Sequence, residues 1–244
     1  MNSGYYAACA GLRTQTQALE LIANNLANLN TTAFRAQQPT FRSLLAGSWI
    51  ANANPINRAT NDFNLLGGSR LDLTAGNLQA TGNPLDLALE GDGFFVVRTP
   101  AGVRYTRSGN FQISTTGQLD TAQGDAVLGE QGPVIVPAGD VSISADGTIS
   151  VNGAVAGKLR VVDFPPGTGL RSEGASYYSA PDGLARPAAR AYVRQGMLES
   201  SNVSAVGAMV DLISVQRHAD MMQRALSAYY NEFNRVASSD LPRV

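Results

Sequence analysis

A chain of 244 residues with 44% hydrophobic content is long enough to bury a real core in one large or two modest domains, and its formal net charge of -1 leaves no global field to draw in a polyanion. Nucleic acid is therefore not expected as a partner. Charged residues make up only 15% of the chain, with Asn, Thr, Ser, Gln and Gly filling much of the remaining surface, so copies of it repel one another weakly.

The chain begins MNSGYYAACAGLRTQTQALEL, without the basic start, apolar block and small-residue cleavage site of a cleavable signal, so any export is expected to use another route. No run of apolar residues is long enough to span a bilayer, and membrane insertion is not expected. Tyr5, Leu12, Leu19 and Leu26 recur at heptad spacing, and Ala8, Gln15, Ile22 and Leu29 form an interleaved set. That pattern predicts an N-terminal helix over residues 1–35 with a narrow apolar seam. Its last stretch, NNLANLNTTAFR, gathers uncharged amides and hydroxyls around a single base. Residues 36–81 lose periodicity and are rich in Asn and Gly, which predicts an extended connector with a few short strands.

From Gly82 the period changes to two. PLDLALEGDGFFVV, VRYTRSGNFQIS, GPVIVP and KLRVVDF read as strands separated by Gly, Pro, Asn and Ser signals, giving a central all-β domain over residues 82–195. The clearest hairpin is VSISADGTISVNG, where Asp146-Gly147 suits a tight turn and Val141 and Ile143 share a face with Ile149 and Val151. The last segment, 196–244, is helical again: Met209, Gln216, Gln223 and Tyr230 form one heptad row, and Ala205, Leu212, Ala219, Leu226 and Phe233 the other. The helix is expected from about Val203 to Ala237, with Ser201-Asn202 supplying the cap. The fold class is mixed α and β, with coiled-coil helices at both ends flanking a central all-β domain. Polar Gln within the seams, and their narrowness, favour packing between subunits over packing within one monomer.

Catalytic chemistry finds no foothold. His218 lies within the C-terminal heptads with no nucleophile signature nearby, and it reads as a surface or interface residue. Asp86, Glu90, Asp92, Asp120, Asp125 and Asp146 mostly adjoin a glycine or end a strand, where turn geometry favours them. The glycine-rich stretches lack the spacing of a phosphate cradle, and the acids lack that of a calcium loop. One cysteine, Cys9, and one histidine exclude an internal disulfide and a zinc site of the usual Cys/His type. The expectation is no catalytic residue, no cofactor, no metal and no small-molecule substrate.

Several separated motifs in order resemble the bacterial flagellar axial family, and within it the basal-body rod proteins. LELIANNLANLNTTAFR is similar to that family's N-terminal signature, through Asn24, Asn25, Leu26, Ala27, Asn28, Asn30, Thr31, Phe34 and Arg35. RQGMLESSNVSAVGAMVDLISVQR is similar to the C-terminal one, through Gln195, Gly196, Leu198, Glu199, Ser201, Asn202, Val203, Met209, Ile213, Gln216 and Arg217. TGNPLDLALEGDGFFVV, YTRSGNFQISTTGQLDT, VLGEQGPVIVP and ADGTISVNG follow the family's order between them. Ala33 stands where the family usually has Gly, Met197 replaces a larger apolar residue, and the final tail departs from the usual ending.

The resemblance implies a structural subunit, exported through the flagellar export apparatus, that polymerises through its paired terminal helices into the periplasm-spanning rod. Its partners would be copies of itself and other rod subunits, and its place the flagellar basal body in the periplasm. It leans toward the proximal rod protein, with the distal one a close alternative. The assembly interface it implies comprises Leu12, Leu19, Ile22, Asn24, Asn25, Leu26, Asn28, Thr31 and Phe34 at one end. At the other it comprises Gln195, Gly196, Glu199, Ser201, Asn202, Val203, Met209, Leu212, Ile213, Gln216 and Leu226. Amides and hydroxyls at the helix end would then take their hydrogen-bond partners from neighbouring subunits without the repulsion of a ring of like charges. Two other readings remain: a secreted glycan-binding or hydrolytic β-domain that oligomerises through its termini, and a soluble module whose helices pack within the monomer.

Overall fold

The computed structural model describes residues 2–44, 63–174 and 176–240. Two helices, α1 (Asn2–Ala27) and α2 (Ala205–Asp240), flank a long series of short strands. The described residues divide into a helical unit, within Met1–Ala27, Gln37–Arg70 and Ser204–Val244, and a β unit of Asn28–Ala36 with Leu71–Val203.

In the helical unit α1 buries Thr14, Ala18 and Ile22, spaced four apart on one face, while Leu12, Leu19 and Leu26 are half-buried beside them. Thr14 and Thr16 turn their hydroxyls back onto the carbonyls of Ala10 and Leu12, each at 3.0 Å, which satisfies them without leaving the helix. Helix α1 packs on α2 and on the strand Gln37–Leu44, which pairs with Phe63–Leu71. The connector thus contains a two-stranded sheet; its residues 45–62 lie outside the described residues, as do the side chains of Tyr5, Ala8 and Phe233.

Helix α1 stops at Ala27, short of the expected Arg35. The reason is local. Thr31 donates its amide to the Asn28 carbonyl and its hydroxyl to the Asn28 side chain, Phe34 donates its amide to the Thr31 carbonyl, and Ala33 takes φ 54°. Such short-range bonds offer the backbone an alternative to helix. The C-terminal helix also starts differently from its expected cap. Ser204, not Ser201-Asn202, is the capping residue: its Oγ accepts the amide of Gly207 at 3.2 Å and its carbonyl that of Ala208 at 2.8 Å.

The β unit is built around Phe94–Thr99, which pairs antiparallel with Gly102–Thr106, Ala126–Gly129 and Val161–Asp163. Its four residues Phe94 to Val97 are all buried because the strand serves two cores. Phe95 and Val97 face Leu87, Phe111, Leu119, Val127 and Ile149, with the Phe95 and Phe111 rings edge to face at 5.2 Å. Phe94 and Val96 face Leu128, Val162, Phe164 and Tyr178. The hairpin Val141–Ile143 with Thr148–Val151 puts Val141 opposite Val151 and Ile143 opposite Ile149, so these four share a face as expected. Gly147 takes φ 84° at its turn, and Asp146 accepts from the amide and hydroxyl of Thr148.

Gly109 marks the tightest backbone approach, for a Cβ there would lie 1.7 Å from the Leu87 carbonyl oxygen. The Leu87 amide donates to the Gly109 carbonyl at 2.9 Å, so the two segments cannot part without losing a bond. Gly109→Ala is expected to destabilise the β unit by about 3 kcal/mol or more. Chemical denaturation followed by circular dichroism measures this, and a cost under about 1 kcal/mol would contradict the packing described.

Candidate assembly site

The residues singled out from sequence fall into two groups. The first lies on the helices. In α2 the row Ala205, Leu212, Ala219 and Leu226 is half-buried, whereas the row Met209, Gln216, Gln223 and Tyr230 is exposed. Val206, Met209, Val210 and Ile213 form an apolar patch within about two turns, exposed by 74%, 52%, 60% and 51%. The first heptad row of α2 is thus occupied within the helical unit, while an apolar patch that includes Met209 of the second row faces solvent near the start of the helix. Further along, Met221, Met222 and Tyr230 are exposed among polar residues, and Gln223, Arg224, Ser227 and Asn231 line a shallow groove. No described helix is long and apolar enough to cross a membrane.

The second group is turned inward. Asn25, at the end of α1, clasps Gln37 from both sides: its Nδ2 donates to the Gln37 carbonyl and its Oδ1 accepts the Gln37 amide, both at 2.9 Å. Within the β unit, Asn202 accepts the Ala36 amide at 2.7 Å on Oδ1, and its Nδ2 donates to the carbonyls of Asp72 and Thr74, both at 3.0 Å. Its own amide donates to the Phe34 carbonyl at 3.2 Å. The amides expected to seek partners in neighbouring subunits find these partners inside the chain. Ser201 accepts the amide of Val203 at 3.2 Å, and Asn24 lies exposed on α1.

Gln195 bridges three segments. Its Nε2 donates to the carbonyls of Pro84 and Val141, both at 2.9 Å, and its Oε1 accepts the Ile143 amide at 3.1 Å. Gly196 follows at φ 73°, its carbonyl accepting the amides of Thr81 and Gly82. Met197–Glu199 then pairs with Leu78–Ala80.

At the end of that strand Glu199 sits in a cluster that sequence reasoning did not assemble. Its carboxylate is fully buried between two guanidiniums, Arg35 at 2.6 Å and Arg107 at 3.2 Å, and accepts the Gly76 amide at 2.8 Å. Arg107 is further held by the Gly93 carbonyl at 2.7 Å and the Gly91 carbonyl, and lies 5.6 Å over the Phe94 ring. Burial pulls the Arg107 guanidinium below its usual range, with Glu199 opposing. Burial also pushes the neighbouring Tyr178 hydroxyl up to about 12, so it stays neutral. The Glu199 carbonyl accepts the Ala33 amide at 2.8 Å, and the Ser176 hydroxyl donates to the Thr32 carbonyl at 3.0 Å. These bonds hold the buried Ala33 at a positive φ that costs an L-residue roughly 1 kcal/mol.

Among the described residues no group of His, Cys, Asp and Glu is arranged to hold a metal ion. The surface with something to offer is the apolar one on α2.

Three family models match in order along the chain. Residues 6–35 match that of the flagella basal body rod protein, residues 88–151 that of the flagellar hook protein FlgE/F/G D1 domain, and residues 194–231 that of the flagellar basal body rod FlgEFG protein C-terminal region. The chain is 34% identical to the flagellar basal-body rod protein FlgF of Salmonella typhimurium, covering 93% of this chain and 94% of that one. It is 32% identical to the FlgF of Escherichia coli, over 97% of both. It is also 32% identical to the flagellar basal-body rod protein FlgG of Bacillus subtilis, over 87% of this chain and 89% of the other. These relatives carry the name of a structural part of the flagellum, and none of the matching families is a catalytic one.

Proposed function

We propose that this chain, which belongs to the family of flagellar basal-body rod proteins, is a structural subunit that polymerises through its terminal helices into the rod of the basal body. The observation that carries this reading is the exposed apolar patch near the start of α2. Helices α1 and α2 together fill one seam, and the exposed patch at Val206, Met209, Val210 and Ile213 is the kind of surface that a second helix pair covers. Its partners are then copies of this chain and adjacent rod subunits. Low surface charge suits such packing, because identical subunits bring identical faces together.

Among rod subunits we favour the proximal type, FlgF, over the distal type, FlgG. Support comes from 34% identity over 94% of the Salmonella FlgF against 32% over 89% of the Bacillus FlgG. Delivery through the flagellar export apparatus is part of the same proposal.

Deleting the gene in its own bacterium tests the role. Loss of swimming, restored by the gene supplied in trans, is the expected result. Normal swimming in the deletion strain would overturn the reading.

A further inference from the structure

We propose that Glu199 is the counter-ion of an internal clamp, its buried carboxylate locking the segment Asn28–Ala36, which leads out of α1, to Glu199–Val203, which leads into α2. Three observations carry this. The cluster holds two guanidiniums against one buried carboxylate, and the other acid that acts on Arg107, Asp92, is exposed. Such a site is expensive to bury and is stable only while the anion is present.

The two arginines are also held differently. Arg107 is tied to the Gly91 and Gly93 carbonyls as well as to Glu199. Arg35 lies 2.6 Å from the carboxylate, yet none of its guanidinium nitrogens makes a hydrogen bond of good geometry. Charge, and little else, retains it. Without the anion Arg107 stays where it is, whereas Arg35 must reach water, and it can do so only by peeling its own segment away.

Finally, the bonds that such peeling would break join the two leads directly. The Ala33 amide donates to the Glu199 carbonyl, the Asn202 amide to the Phe34 carbonyl and the Ala36 amide to the Asn202 side chain. The clamp therefore pins the segment that leaves α1 and the segment that enters α2 to each other, inside the β unit.

Hydrogen exchange on the purified full-length protein tests it. In Glu199→Gln, protection of the Ala33, Ala36 and Asn202 amides is expected to fall about 100-fold or more, while the Phe95 to Val97 amides stay within about threefold. Adding Arg35→Met to that variant removes one unpaired charge and is expected to restore most of the protection, which loss of packing alone would not allow. Unchanged protection in Glu199→Gln, an even loss across the β unit, or no recovery in the double variant would each overturn the clamp. Should Glu199→Gln alone fail to fold, the double variant decides: folded and protected at these amides supports the clamp, and unfolded overturns it. Because the readout needs no assembly, its failure is distinct from failure of the rod role.

Discussion

Ile213→Asp and Met209→Asp, each alone, are expected to abolish motility while leaving the purified protein about as stable as the wild type. Both side chains are half exposed, so a carboxylate there remains hydrated in the monomer. Exchanging an exposed apolar residue for Asp in a helix costs roughly 0.5 kcal/mol, mostly through helix propensity. Within a packed seam the same carboxylate would lose its water without gaining a partner, at a cost of several kcal/mol per contact, repeated at every subunit. Leu212→Asp should differ, because Leu212 is half-buried in the helical unit and its substitution weakens the monomer as well. Swimming halos in soft agar, read beside thermal unfolding of the purified variants, separate the two cases. A wild-type halo from Ile213→Asp and Met209→Asp would mean that this patch of α2 is not an assembly surface.

The second large effect is expected at Arg107, in the β unit. Arg107→Met conserves much of the volume over Phe94 but strands the buried Gly93 carbonyl, leaves the exposed Gly91 carbonyl to water, and removes one of the two cations that balance Glu199. Buried acceptors left without donors cost about 1–3 kcal/mol each, and breaking a buried ion pair about 3–5 kcal/mol. Arg35 remains beside the carboxylate and offsets part of this. A net loss of about 3–5 kcal/mol should lower the unfolding midpoint of the β unit by roughly 10 °C. A midpoint within about 2 °C of wild type would show that Arg107 is not the hub its contacts describe.

These two sites show what the sequence makes visible and what it hides. Periodicity alone located α2 and both of its heptad rows, because apolar spacing on a helix is a local signal. It could not say which row the monomer fills, since that depends on how α1 lies against it. The Asp146-Gly147 hairpin was legible down to the residues that share a face, because turn chemistry and alternation are both contained within about a dozen residues. The pairing of Gln37–Leu44 with Phe63–Leu71 was not, for neither strand alternates cleanly and the two lie far enough apart in sequence that no short turn signature joins them. Arg35, Arg107 and Glu199 lie far apart in sequence, and nothing local marks three charged residues as one buried cluster. Glu199 and Asn202 were noticed through the motif that contains them, which gives no sign of the bonds they make within the chain. A motif records that residues matter together without recording what they touch.

Electron microscopy of basal bodies purified from a deletion strain, with the complemented strain alongside, tests the central claim most directly. The account predicts particles that retain the membrane ring but carry a missing or truncated rod, with truncation at the proximal stage for a FlgF-type subunit. Intact rods bearing hooks in the deletion strain would contradict it.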